Sequence, residues 1–246
     1  MEDIQIIYKD ERVVAINKPS KLLVHKTNID HYETTTAMKL LRNKLKKWVY
    51  PLHRLDKATS GVLLFALDKE SARIMGNLFS DQKLEKTYLA VVRGFTIDEG
   101  TINYPLKKLS HNKKLLVKDD EIIEKDAITH FKLLRKKEIQ VSVGRYNQAK
   151  YSFLKLKIET GRNHQIRRHL KHIFHPIIGD TTYGDGKHNK FFREHFNCHR
   201  LLLHCASITY PNPFTNQKQE IKAELDEDFQ KIATHFSLAN NDSFYF

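Results

Sequence analysis

One acidic side chain stands among cations where an apolar run begins. The segment His53-Arg54-Leu55-Asp56-Lys57-Ala58-Thr59-Ser60-Gly61 leads directly into Val62 to Leu67, which places its polar side chains at the edge of a core. Arg54 and Lys57 flank Asp56, and a nearby opposite charge keeps a carboxylate ionised, as a nucleophile must be. The same residues also suit a plain turn ahead of a strand, with Thr59-Ser60-Gly61 as turn formers. A second unusual segment is Gly161-Arg162-Asn163-His164-Gln165-Ile166-Arg167-Arg168-His169. On a helix, at about 100° per residue, Ile166, Leu170 and Ile173 form one buried stripe. Arg167 flanks that stripe and Arg168 points roughly the other way, toward solvent or a phosphate. Arg167 is therefore the better partner for a recessed carboxylate, although a basic surface helix without a site has the same pattern. Lys86-Thr87-Tyr88 opens a strand, so Lys86 and Tyr88 share one face. Tyr88 suits base stacking, proton transfer, or ordinary core and rim packing.

Other chemistries find less support. The chain has 14 histidines, and the sets His195, Cys198, His199, His204, Cys205 and His164, His169, His172, His175 invite a metal. Neither has C-x-x-C or H-E-x-x-H spacing, and Arg167 and Arg168 share a helix with His169 and His172, where their charge opposes a cation. No metal is expected. No G-x-G-x-x-G or Walker pattern occurs, so a nucleotide cofactor has no support either. A two-carboxylate glycosidase would need a second acid beside a comparable motif, and none is there.

The elements that must position these residues read as α+β. Strands are expected at Ile4 to Tyr8, Val13 to Ile16 and Leu22 to Val24, with Lys18-Pro19-Ser20 as a break. Met38, Leu41, Leu45 and Trp48 recur at helical spacing between Thr34 and Trp48, with Lys39, Arg42, Lys46 and Lys47 off that stripe. This basic face suits either solvent or RNA phosphates. A buried strand over Val62 to Leu67, a helix from Lys69 to Ser80 and a strand from Thr87 to Arg93 follow. Residues 107–126 mix charges without a period and read as a surface excursion. Further strands fit Ile128 to Leu134, Ile139 to Val143 and Tyr151 to Glu159, the last with Leu154, Leu156 and Ile158 buried and Lys155 and Lys157 wet. A helix from Arg162 to Ile173 is stopped by His175-Pro176. Strands at Leu201 to Thr209 and Gln219 to Ala223 and a helix over Asp226 to His235 complete the chain. Helices do not alternate strictly with strands, which favours a mixed, mostly antiparallel sheet with flanking helices.

Composition bounds the rest. At 246 residues with 40% apolar side chains, 14 Phe, 10 Tyr, 9 Gly and 6 Pro, the chain is globular and large enough to fold without staples. It reads as one domain over residues 1–246. Its two cysteines are too few for a secreted disulfide scaffold. No apolar run approaches the ~18 residues of a membrane span, and Met1-Glu2-Asp3 starts no signal peptide, so a cytoplasmic protein with no membrane partner is expected. The net charge of +13 points to a polyanion without saying which, or to simple solubility.

Taken in order, His53-Arg54-Leu55-Asp56-x-x-Thr59-Ser60-Gly61, Lys86-x-Tyr88, Gly161-Arg162-x-His164-Gln165-x-Arg167-x-His169, His175-Pro176-Ile177-Ile178-Gly179-Asp180 and Arg200-Leu201-x-Leu203-His204 resemble the RluA family of pseudouridine synthases. The resemblance runs from about Ile4 to Ala223, includes Asn17-Lys18-Pro19-Ser20, and leaves no room for the separate N-terminal RNA-binding domain of some relatives. Gly144-Arg145-Tyr146, the doubled Arg167-Arg168 and the compact length look most like the bacterial subgroup that modifies uridine 65 of tRNA. Cys205 replaces the family's usual Ala, and Tyr210-Pro211-Asn212-Pro213 replaces a more usual Thr-His-Pro turn.

The resemblance implies a catalytic domain with a central RNA-binding cleft that isomerises uridine to pseudouridine, without a cofactor. It makes Asp56 the nucleophile, Arg167 its partner, and Tyr88 a uracil-packing residue that takes part in proton transfer. Arg54 would fill the space of the flipped base. His53, Lys86, Arg168, Lys39, Arg42, Lys46 and Lys47 are candidates for RNA contact. The expected partner is RNA, tRNA before rRNA, and the expected state is a monomer. A basic RNA-binding protein that keeps the fold without catalysis is the rival reading.

Overall fold

The computed structural model describes residues 4–26, 35–80, 83–108, 124–144 and 147–237. Strands β1 (Gln5–Lys9), β2 (Val13–Lys18), β3 (Tyr50–Pro51), β4 (Ser60–Ala66), β5 (Glu85–Arg93), β6 (Glu99–Asn103), β9 (Ile128–Ile139), β10 (Ala149–Ile158), β11 (Leu203–Pro211) and β12 (Lys218–Lys222) form one sheet. Its order is β1-β2-β4-β11-β5-β10-β9-β6, with β3 beside β4 and β12 beside β11. Short β7 (Leu106–Lys107) and β8 (Glu124–Lys125) pair apart from it. The only parallel ladder among the described residues joins β4 to β11.

Alternation along the central strands feeds two cores. Tyr88, Ala90 and Val92 of β5 face one, together with Leu154 and Leu156 of β10. Helices α1 (Ala37–Leu45), α2 (Lys69–Ser80) and α3 (Gln165–His172) cover it with Leu41, Met75, Ile166 and Leu170. Leu89 and Val91 face the other core, with Tyr151 and Phe153, under α4 (Gly186–Phe196) and α5 (Glu227–His235). All seven residues of β4 are buried, as suits a strand covered on both faces.

The parallel junction depends on one glycine. Gly61 has φ +112°, and a Cβ there would lie 2.1 Å from the Cys205 carbonyl oxygen, so no other residue lets β4 and β11 approach this closely. Beside it, Arg200 donates from Nη2 to Ser60 Oγ at 2.8 Å, and Ser60 lies 2.7 Å from His204 Nδ1. His204 Nε2 reaches the Ala223 carbonyl at 3.1 Å, so Nε2 carries the proton and Nδ1 accepts from Ser60. Arg200 Nη1 also pairs with Asp226, the N-cap of α5. The root of the loop carrying Asp56 is therefore locked to both neighbouring layers.

Several sequence expectations need correction. Trp48 is not on the buried stripe of α1: Lys46 adopts a left-handed conformation (φ 51°), ends the helix, and leaves Trp48 69% exposed. Leu22 to Val24 makes only a single bridge, from Leu23 to Thr36. The two strands expected over 128–143 form the single long β9 as far as Ile139, because β10 pairs along its whole length. Tyr151 and Phe153 are buried on the face of β10 expected to be wet, since α4 and α5 cover that half. Helix α3 starts at Gln165 rather than Arg162, because His164 is left-handed (φ 54°). Helix α4 was not expected; its polar opening Gly186-Lys187-His188-Asn189 hides a start capped by Asp185, which accepts from the amides of Lys187 and His188. Thr34, most of the 107–126 excursion (109–123), Arg145-Tyr146 and residues 238–246 lie outside the described residues. Among the described residues no helix is long and apolar enough to cross a membrane.

Candidate active site

Asp56 sits in the loop between β3 and β4, in a turn closed by the Thr59 amide donating to the Asp56 carbonyl at 3.0 Å. Two residues of the opening break hold that turn. Lys18, fully buried, places its three ammonium hydrogens on the carbonyls of Pro19 (2.8 Å), Leu22 (2.8 Å) and Lys57 (3.1 Å). Burial pushes Lys18 down to about 7, with Arg200 pulling the same way and Asp56 opposing. Ser20 donates to the Ala58 carbonyl at 2.8 Å. At the start of the loop, His53 accepts the Leu64 amide at Nε2 (3.1 Å) and stacks on Phe79 with centroids 5.3 Å apart. Burial, then the charge of Lys86, holds His53 down at about 3, so it is a neutral acceptor.

Arg167 arrives from α3, 111 positions later. The helix start is fixed by Gln165, whose Oε1 accepts from the Arg162 amide (3.0 Å) and Thr160 Oγ1 (2.7 Å), while Nε2 donates to the Ile128 carbonyl at 2.9 Å. As its place beside Ile166 requires, Arg167 is buried, and its Nη1 donates to Asp56 Oδ2 at 3.2 Å. Its other edge makes a bidentate pair with Asp180, Nε to Oδ2 at 2.7 Å and Nη2 to Oδ1 at 2.9 Å. Asp180 has a fully buried side chain and also accepts from the amides of Thr182 and Tyr183. Burial raises Asp180, but the Arg167 and amide hydrogen bonds outweigh it and the net shift is downward. Burial likewise lowers Arg167, and the bonds and charge of Asp180, then Asp56, reverse that. The Arg167 guanidinium lies 5.2 Å from the Tyr183 ring centroid. His164 places Nε2 3.9 Å from Asp56 Oδ1 and Nδ1 3.1 Å from the Tyr183 hydroxyl; burial lowers it despite the attraction of Asp56.

These groups open onto a cavity of about 520 Å³ lined by Arg54, Asp56, Lys86, Tyr88, His164 and Arg167 over apolar Leu55, Ile158, Ile166 and Leu203. That volume is ordinary for a small-ligand pocket of ~300–1,000 Å³. Lys86 and Tyr88 do share one face of β5 and both line it. Burial, followed by Cys205 and Asp56, raises Tyr88 well above 10, so its hydroxyl keeps its proton. Burial lowers Lys86, whose ammonium lies 5.1 Å from the Phe79 ring centroid.

The remaining expected contacts lie elsewhere. Lys39, Arg42, Lys46 and Lys47 belong to α1 and its C-terminal end, outside the cavity. Arg168 does not line the cavity and donates to the Lys107 carbonyl at 3.0 Å. The histidines do not converge: His169 bridges Thr129 and the Tyr104 carbonyl, His195 packs on Phe191, and no metal-holding cluster exists among the described residues. Sequence reasoning missed Asp180 and Tyr183 as neighbours of Arg167. Asp180 closes the His175-Pro176-Ile177-Ile178-Gly179-Asp180 segment, but nothing local marks which cation it meets.

The α+β sheet and a pocket pairing one carboxylate with one guanidinium define the class: residues 12–172 match the model of the RNA pseudouridylate synthase family, and the chain belongs to that family of enzymes. It is 44% identical over 234 residues to tRNA pseudouridine synthase C of Vibrio parahaemolyticus, covering 95% of each chain. It is 43% identical to tRNA pseudouridine synthase C of Haemophilus ducreyi, covering 99% of this chain and 100% of that one. The solved structure of human RNA Pseudouridylate Synthase Domain Containing 1 superposes with a TM-score of 0.69 at 25% identity, covering 90% of this chain and 83% of that chain.

Proposed function

We propose that this chain converts a uridine of tRNA, with uridine 65 the expected position, to pseudouridine, acting as a monomer in the cytoplasm with residues 1–246 as one catalytic domain. The observation that carries this reading is the Asp56 carboxylate, held by Arg167 at 3.2 Å at the mouth of a cavity whose wall includes Tyr88. The relatives named tRNA pseudouridine synthase C, similar along nearly the whole chain, support tRNA as the RNA.

The cavity has room for one base, so the uridine must leave its stack at a cost of a few kcal/mol. Arg54, exposed at the rim, fills the vacated space. Asp56 attacks the ribose C1′, or assists loss of a ribose proton to give a glycal; in either route the N1 to C1′ bond breaks and its electron pair stays on uracil. The base turns and C5 bonds to C1′; in the first route this breaks the Asp56–C1′ bond and frees the carboxylate, and in the second the ribose carbon regains its proton. The C5 proton then leaves, and N1 gains a proton. Arg167 orients Asp56. Tyr88, protonated at neutral pH, packs on the uracil and takes part in the proton transfers. The composition and oxidation state of the RNA are unchanged, so no electron acceptor is needed. Lys39, Lys46, Lys47, Lys86 and Arg168 supply positive charge for the RNA backbone. His53, a neutral ring, contributes by fixing the loop that carries Arg54 and Asp56.

Purified chain incubated with an unmodified tRNA transcript, followed by a pseudouridine-specific chemical readout, tests the reading. One new pseudouridine is expected at position 65, and none with Asp56→Asn. Modification confined to an rRNA transcript would replace the substrate; RNA binding without any isomerisation, or full activity of Asp56→Asn, would overturn the catalytic assignment.

A further inference from the structure

The single tryptophan of the chain, Trp48, is 69% exposed. Its setting is that of a fixed plate. The Arg42 guanidinium lies over its ring, 4.1 Å from the centroid, and is itself held by a hydrogen bond from Nη2 to the Val49 carbonyl at 3.1 Å. Left-handed Lys46 turns the chain out of α1, and Val49 is fully buried immediately after, so the Trp48 backbone is anchored on both sides. An indole with a guanidinium on one face and solvent beside the other is half of a stack. Its flanking residues Lys46 and Lys47 are exposed cations, which matches a polyanion carrying flat rings. A membrane-docking patch would need several neighbouring apolar side chains, and Trp48 has none beside it in sequence that is exposed. Pro51, three residues on, already lines the reactive cavity, so the plate lies within about 10 Å along the chain of the cavity wall.

We propose that Trp48, backed by Arg42, is a stacking platform for a base of the substrate RNA other than the reacting uridine. This rests on the reading of the chain as an RNA-isomerising enzyme and extends it to how the RNA is held. Base–aromatic stacking is tolerant of sequence, so the platform adds affinity and register, while the cavity selects uridine. Arg42 then acts as a backing group for the indole rather than as a phosphate contact.

Because the chain has one tryptophan, its intrinsic fluorescence reports this contact directly. Titration with unmodified tRNA transcript is expected to quench the emission saturably, whereas inorganic polyphosphate, which offers charge without rings, leaves it unquenched. Trp48→Ala is expected to raise KM for tRNA roughly ten-fold with kcat within about two-fold of wild type, and Trp48→Phe to restore most of the loss. A chain that isomerises tRNA with unchanged emission, or a Trp48→Ala variant with unchanged KM, overturns the platform and leaves the activity standing. A chain that is quenched by tRNA without isomerising it keeps the platform and overturns the activity. A chain that does neither overturns both.

Discussion

Arg167 gives Asp180 two hydrogen bonds, at 2.7 and 2.9 Å, and has one at 3.2 Å for Asp56. The pair is unequal because Asp180 is completely buried, while Asp56 keeps part of its side chain open to the cavity. Most of the guanidinium charge is thus answered by Asp180. In the proposed reaction this lets Arg167 point Asp56 without binding it so strongly that its lone pairs are withdrawn.

Replacing Asp180 by Asn removes that counterweight and draws Arg167 toward Asp56. The expected result is a kcat about ten- to a hundred-fold lower with KM for tRNA little changed, since no RNA contact is lost. Some stability is lost too, because a buried ion pair is broken. Steady-state kinetics on folded variant protein would sink the idea if kcat stayed at the wild-type value.

Arg167→Lys keeps the charge and loses the planar fork. An ammonium cannot satisfy Asp180 bidentately and still reach Asp56. Turnover is expected to fall about a hundred-fold with tRNA affinity intact, as measured by single-turnover rates beside a filter-binding isotherm. Equal activity of the two enzymes would show that only charge matters here.

Lys18 is predicted to be a loop anchor. Lys18→Met fills the same space but leaves the carbonyls of Pro19, Leu22 and Lys57 without their buried donor, at an expected cost of about 3 kcal/mol. Urea unfolding measures this, and proteolysis near Lys57 reports whether the Asp56 turn has loosened. A variant as stable as wild type would show that those carbonyls find other partners.

His204 ties stability to pH. Its ring is fully buried, and burial, partly opposed by the hydrogen bond to Ala223, lowers it from 6.5 to about 3. The unfolded chain therefore takes up a proton first as pH falls through 6.5, and the fold loses stability from there down toward pH 3. At pH 5 the loss from this residue alone is about 2 kcal/mol. Thermal melts at pH 7.5 and 5.0 should separate by several degrees, and His204→Asn, itself less stable at pH 7.5, should narrow the gap. An unchanged gap in that variant would place the acid sensitivity elsewhere.

What could be read in advance follows the range of the interactions. Helix α2 over Lys69–Ser80, the alternation of Leu154 and Leu156, the shared face of Lys86 and Tyr88, and the place of Arg167 beside Ile166 are set by periods of 3.6 and 2 within a few residues. The ordered motifs around Asp56, Tyr88 and Arg167 likewise carry the family resemblance in the sequence itself. The exposure of Trp48 did not show, because one left-handed residue, Lys46, outweighs a helical pattern that continues past it. Nor did the dual engagement of Arg167, since its partners lie 111 positions before it and 13 after, and only the register of the sheet and the turn at Gly179-Asp180 bring them together. Local periodicity is written in neighbouring residues; which carboxylates share a buried cation is decided when distant strands pair, because burial makes every unmet charge too costly to leave alone.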